Sequence, residues 1–233
     1  MPDGPGYHNR KGHIYSKICS LLIFLTNEPS KYDEIAPKIG YWIEYVLHEQ
    51  FATVDELVEG VSEVAWRGGG SFASAGRFLK EFHDAPHRSE QARSFVARLC
   101  PYVLRLFAIA SVEDIWTSAG YVSNSILNDG GSGFVRGASF VGHLIEWGLL
   151  AHDLVRRHLF KPLINHHITG SQTADVYRVN AIYQLFTAAG NTLLQGLVEP
   201  EDVQACFGIL DFRRDSWITG FDPAKLQVQY PLR

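Results

Sequence analysis

Residues 134–167 read FVRGASFVGHLIEWGLLAHDLVRRHLFKPLINHH, and their hydrophobic spacing sets the fold class expected for the whole chain. Phe140, Val141, Leu144 and Ile145 fall at i, i+1, i+4 and i+5, which a 3.6-residue period gathers on one side of a helix. Leu154, Val155, His158 and Leu159 repeat that spacing in the next segment. Between the two stands Trp147-Gly148, and glycine suits a helix C-terminus because it takes a positive φ at no steric cost. Two apolar-faced helices on so short a link are expected to lie against each other as an αα-hairpin.

The flanking sequence has the same character. A helix is expected from His13 to Asn27 with Ile14, Ile18, Leu21, Leu22 and Leu25 on one face, stopped by Glu28-Pro29-Ser30. Ile35 or Ile39 to Leu47 is the next apolar-periodic segment. Thr53 reads as an N-cap, with Glu56 completing a capping box ahead of Val54, Leu57, Val58, Val61 and Val64. Gly68-Gly69-Gly70 is a linker; it lacks the Lys and the preceding strand that a phosphate loop requires. Phe72 to Phe82 forms a helix ended by Asp84-Ala85-Pro86. Ser89 or Glu90 opens a long one that Pro101 must kink or divide, and Val112 to Leu127 continues helically. Asn128 to Gly133 is a loop. Beyond His167, Thr169 to Thr173 is a polar linker, Asp175 to Leu194 a helix, and Val203 to Leu210 a short helix opened by Pro200-Glu201-Asp202.

These amount to about nine or ten helices and no convincing strand alternation. They come in antiparallel pairs at a loose period of about 40 residues, as in helical-repeat arrays. The fold class expected is therefore all-α, a HEAT-like or armadillo-type α-solenoid of about five antiparallel pairs, with a globular helical bundle as the rival. The domain plan is a disordered lead-in over residues 1–12, one helical-repeat domain over 13–220, and an irregular tail over 221–233.

Composition bounds the function. Among 233 residues, 46% are hydrophobic and 20% charged, a globular balance. The net charge of −4 and pI near 6.2 give no support to binding nucleic acid by charge alone. The three cysteines, Cys19, Cys100 and Cys206, are far apart and form no CxxC pair, so neither a zinc knuckle nor a disulfide framework is indicated. No run approaches the roughly 20 apolar residues of a membrane span, and the first dozen residues hold no apolar stretch of a signal peptide. The expectation is a soluble protein of the cytoplasm, or of the nucleus, with no membrane partner.

The ten histidines do not make a metal site. His166 and His167 are adjacent, His152 and His158 lie at the wrong interval for one helix face, and His83 and His87 have Pro86 between them. No G-x-S-x-G elbow is present. Glu113-Asp114 and Glu201-Asp202 lie at helix starts, where the macrodipole favours negative charge. The reading is of a chain that is not an enzyme and takes neither cofactor nor metal. Arg156, Arg157 and Lys161 form the densest basic cluster, either a solvated face or a contact for RNA phosphate or an acidic partner. Arg213-Arg214 beside Trp217 is either a phosphate-and-stacking site or local packing.

Three pieces of the chain, in order, resemble the MIF4G family, the middle domain of eukaryotic initiation factor 4G. Tyr45-Val46-Leu47 and Val54 to Val58 resemble its first helix pair, followed by Asp84-Ala85-Pro86 and by Phe95, Ala97, Leu99 and Cys100 in the next helix. Phe140 to Leu150, with Ile182 to Gly190, is similar to the family's F-I-G-E-L-F-K-L-x-M-L helix and its C-x-L-L-x-x-I-G run. Ile209 to Ile218 is similar to its C-terminal D-L-R-x-x-x-W-V. His143 stands where the family carries an acid, and Pro162 interrupts the second hairpin helix. The resemblance implies a non-catalytic adaptor whose protein partner is a DEAD-box RNA helicase, in mRNA translation or RNA processing. The contacts it implies are Arg136, Phe140, Glu146 and Trp147 on the hairpin, and Glu49 with Asp84 to His87 at the N-terminal loops. The alternative is a structural or signalling scaffold without helicase or RNA contacts. Oligomeric state and partner identity stay open.

Overall fold

The computed structural model describes residues 5–67, 72–112, 130–160, 172–190, 192, 201–202 and 204–205. Every element among them is helical. They are α1 (Pro5–Asn27), a 3₁₀ turn (Pro29–Lys31), α2 (Tyr32–His48), α3 (Val54–Arg67), α4 (Ala73–Asp84), α5 (Glu90–Val112), α6 (Gly130–Glu146), α7 (His152–Val155), a π-helical turn (Arg156–Phe160) and α8 (Gln172–Ala189). The chain divides into two compact units, Met1–Leu99 and Cys100–Arg233.

In the first unit, α1 packs on α2, α3 and α4, and α2 packs on α4. The expected stripes are the buried ones: Ile18, Leu22 and Leu25 of α1, Ile39, Ile43 and Val46 of α2, Leu57, Val58 and Val61 of α3. Each such side chain contributes about 1.5–3 kcal/mol by leaving water. Two polar side chains in this interior bond back to their own helices, Thr26 to the Ile23 carbonyl at 2.8 Å and Ser62 to the Val58 carbonyl at 2.6 Å.

Local signals set the helix ends. The Thr53 hydroxyl accepts from the Glu56 N–H at 3.2 Å while the Glu56 carboxylate accepts from the Thr53 N–H at 2.7 Å, the expected capping box. Ser89 caps α5 by accepting from the Ala92 N–H at 3.1 Å. Gly148 has φ +66°. Around it the Leu149 N–H donates to the Leu144 carbonyl and the Gly148 N–H to the Ile145 carbonyl, both at 2.9 Å, a Schellman motif. The end of α2 repeats this motif, with Phe51 donating to Val46 at 3.0 Å and Gln50 to Leu47 at 3.3 Å. There a glutamine, Gln50, holds the left-handed position at φ 55°.

Several expectations need correction. α1 begins at Pro5, and proline is well suited to a first helical position. The loop expected to run to Gly133 gives way to helix at Gly130. Glycine costs about 1 kcal/mol per helical position, and the α6 that follows, buried at Ala138, Phe140 and Val141, offsets it. α8 ends at Ala189 and not Leu194, because Gly190 takes φ +56°. Among the described residues α6 packs chiefly on α8. α7 has four residues before the chain widens into the π turn, and the rest of the expected second arm, 161–167, lies outside the described residues. Its stripe is kept nonetheless, with Val155 and Leu159 buried.

The α6–α8 contact is close. A Cβ added at Gly142 would meet Ala188 Cβ at 2.6 Å and the Leu185 carbonyl oxygen at 2.7 Å. Val141, Leu144 and Ile145 of α6 are buried, as are Ile182, Leu185 and Phe186 of α8. Pro37 and Pro101 both lie inside helices, where each removes an N–H from the i−4 carbonyl, that of Asp33 and that of Ala97. The linker at 68–70, the helix expected over 113–127, His166-His167, Lys161, Cys206, the Arg213-Arg214-Trp217 group and the tail lie outside the described residues.

Candidate functional site

In the first unit a groove of about 310 Å³ is lined by residues of α2, of α4 and of the segment leading into α5. Ala36, Pro37, Phe78 and Phe82 form an apolar floor, while Asp33, Glu81, His87 and Arg88 supply charge and polarity. A second groove of about 300 Å³ lies on the far side of Glu44, against Tyr41, Tyr45 and His48. Tyr41 is 59% exposed, and its ring stacks on Tyr45 with centroids 6.0 Å apart and planes 12° from parallel. Tyr45 in turn meets Trp42 edge-on and Phe51 at a tilt, so a row of aromatic rings borders the second groove.

Arg88 lines the first groove. Its guanidinium lies 4.5 Å from the centre of the Phe82 ring, on a site left open by Gly40, whose added Cβ would come within 2.8 Å of Arg88 Nη2. Among the described residues the one carboxylate within salt-bridge distance, Glu44, stands 4.0 Å from Nη1. Glu44 is held by another group, accepting from the Ser89 N–H at 3.1 Å and the Ser89 hydroxyl at 2.6 Å. The buried Nε of Arg88 has no acceptor among the described residues.

At the other end of the first groove the acids are satisfied differently. The Tyr32 hydroxyl donates to Glu81 at 2.7 Å and Arg77 Nε donates to it at 2.8 Å, with the Arg77 guanidinium also 3.9 Å above the Tyr32 ring. Burial pushes the Tyr32 phenol well above its ordinary value, and the bond to Glu81 adds to this. Burial raises the Glu81 carboxyl too, but the bonds from Tyr32 and Arg77 outweigh it and hold the group below its usual range. Asp33, on the rim, has no such partner among the described residues.

The residues singled out in the sequence fall on both units. His87 lines the first groove, and Asp84 beside it is bound by Lys80 at 3.0 Å and His83 at 3.1 Å, which together hold its carboxyl low. Glu49 is exposed at the end of α2, its carboxylate 3.9 Å from His48. In the second unit, Phe140 is 2% exposed and belongs to the interior. Glu146 accepts from or shares a proton with His143 at 2.8 Å. Trp147 is half-buried, with no acceptor for its Nε1 among the described residues. Arg136 is half-buried on α6; it and Glu146 stand about 15 Å apart along the axis, ten residues at 1.5 Å each. Arg156 reaches Asp202 at 3.5 Å from the π turn, and Arg157 is exposed beside it.

Arg88, Glu44, Gly40 and the Tyr32–Glu81 pair escaped the sequence reading. The signal available was Arg88 preceding a helix-capping serine, which marks a fixed backbone position but not the glycine on another helix that makes room for the guanidinium.

Burial pushes the Cys100 thiol up to about 12, which makes it inert as a nucleophile. Among the described residues no group of three His, Cys, Asp or Glu could hold a metal ion, and no helix is long and apolar enough to cross a membrane. No family model, curated protein or solved structure matches this chain.

Proposed function

We propose that the chain is a non-catalytic helical adaptor of the MIF4G type, a HEAT-like α-solenoid whose work is to hold a protein partner, a DEAD-box RNA helicase acting in mRNA translation or RNA processing in the cytoplasm or nucleus. The solenoid reading draws support from the first unit, where α1 neighbours α3 and α2 neighbours α4, the i, i+2 adjacency of stacked helix pairs. The observation that carries the binding function is the groove beside His87. It combines an apolar floor with a polar rim at the edge where the resemblance puts the N-terminal contact loops. The hairpin contacts reduce to the surface groups Arg136, Glu146 and Trp147, with Arg156 and Arg157 as the positions for an acidic partner or RNA phosphate.

The test is a pull-down and ATPase assay with a DEAD-box helicase of the initiation-factor type, with Glu146→Lys and Arg136→Glu alongside. Stimulated ATPase that both variants weaken at least tenfold is the expected result. Absence of binding at tens of micromolar would remove the helicase and leave the second reading, a protein-interaction scaffold. That reading is favoured by the net charge of −4 and by the exposed Ile23, Phe24 and Tyr41 of the first unit.

A further inference from the structure

We propose that the groove between α2 and α4 is the seat of an acidic and apolar peptide segment of the partner protein, whose carboxylate binds Arg88 while a neighbouring apolar side chain lies on Phe78 and Phe82. The proposal rests on the protein-binding reading and adds the chemistry of the segment; it does not depend on that partner being a helicase.

The argument begins with an unmet demand. The Arg88 side chain is only 19% exposed, and its nearest carboxylate among the described residues is 4.0 Å away. A cation withdrawn from water needs acceptors to offset its lost hydration. Glu44 is the only acid within salt-bridge distance among the described residues, and its oxygens are committed to the Ser89 N–H and hydroxyl at 3.1 and 2.6 Å. Those bonds hold the serine that caps α5, so Glu44 would have to release Ser89 to close on Arg88. An arriving carboxylate meets no such constraint.

The seat is also preorganised. Phe82 on one side and the bare backbone of Gly40 on the other hold the guanidinium, so little rotamer entropy remains to be lost on binding. A fixed guanidinium favours the planar, two-oxygen geometry of a carboxylate. The groove's 310 Å³ accommodates one or two side chains, and its floor of Ala36, Pro37, Phe78 and Phe82 calls for an apolar one beside the acid.

The remaining charges select among anions. Asp33, Glu81 and Glu44 all lie close by, which opposes a polyanion such as RNA. The Glu81 charge is offset by Arg77 while its other oxygen accepts from Tyr32, and Asp33 remains at the end away from Glu44. A peptide bearing a single carboxylate at the Arg88 end, with a neutral or basic residue toward Asp33, is the anion that suits this layout.

The experiment uses the full chain and a set of fluorescein-labelled peptides in a Gly-Ser background, with Leu and Glu adjacent or one, two or three residues apart. Each has counterparts in which Glu is replaced by Gln or by Lys. At least one Leu–Glu peptide is expected to bind at tens to hundreds of micromolar, with its Gln and Lys counterparts at least tenfold weaker. Gly40→Ala should weaken binding at least tenfold while the chain stays folded, since its Cβ displaces only the free end of Arg88; Arg88→Gln should do the same. Independently of any variant, the Arg88 Nε–Hε resonance should shift on titration. Failure of every Leu–Glu peptide, equal binding of the Gln forms, or a stationary Nε–Hε signal would overturn the proposal. So would a dimer, seen by sedimentation, that Arg88→Gln dissociates, because the occupant would then be a second copy. Helicase pull-down fails independently: peptide binding without helicase binding sinks the helicase alone, and the reverse sinks this inference alone.

Discussion

Gly142 and Ala188 meet so closely that a methyl group on the glycine would stand 2.6 Å from the Cβ of its neighbour. Backbone is also in the way, with the Leu185 oxygen at 2.7 Å and the Ala189 nitrogen at 3.1 Å, so no flexible side-chain end can yield. Gly142→Ala therefore forces α6 and α8 apart. The expected loss is about 1–3 kcal/mol, the usual cost of overpacking, outweighing the gain in helix propensity. Urea denaturation measures it, and an unchanged or higher midpoint would show that the two helices do not pack as described.

At Gln50 the same kind of substitution has the opposite sign. A side chain at φ 55° is strained where glycine is not. Since the Schellman bonds at this end use only backbone groups, Gln50→Gly keeps them. A stabilisation of roughly 0.5–1 kcal/mol is expected, read as a rise in thermal midpoint.

Thr53→Ala removes the cap of α3 and strands the Glu56 N–H. It should cost about 1 kcal/mol, with Thr53→Ser nearly neutral because the hydroxyl is retained. Comparing the two by chemical denaturation separates the cap from the methyl group.

Tyr32 supplies a pH signature. Its phenol is raised on folding, by burial first and then by the bond to Glu81. A raised group contributes stability that is complete below the unfolded value, about 10, and that is lost as the pH climbs from there through the folded value. The unfolding midpoint should therefore fall more steeply in the wild type than in Tyr32→Phe above about pH 10. At neutral pH Tyr32→Phe should cost about 1–2 kcal/mol, because the Glu81 carboxylate loses a donor. Parallel alkaline curves for the two proteins would contradict the bond.

What the sequence made legible was local. The Thr53–Glu56 box, the Ser89 cap and the Gly148 terminus each involve groups a few residues apart, so their chemistry can be read without knowing the fold. The buried stripes of α1, α2 and α3 were legible for the same reason, as periodicity carries the face with it. The packing of α6 on α8 was not, because it depends on Gly142 lacking a Cβ against a helix far along the chain. The candidate site divides in the same way. His87 was singled out through the family resemblance, whereas Arg88 acquires its meaning only from Gly40 and Phe82, brought beside it by the packing of α2 on α4. Phe140 shows the converse: an aromatic in a motif proved to be interior.

Pro37 gives the groove one unusual wall. With no amide hydrogen there, α2 is short one rung opposite Asp33, and its opening turns are held in register by the burial of Ile35, Ala36 and Ile39. Backbone amides in those turns should exchange with solvent sooner than those of Ile43 to Leu47, where the ladder is intact. The carbonyl of Asp33 is thereby a main-chain oxygen that the helix does not claim with an i+4 bond, at the mouth of a cleft already holding an arginine. A partner segment seated there as proposed would have the Arg88 guanidinium at one end and Asp33 at the other.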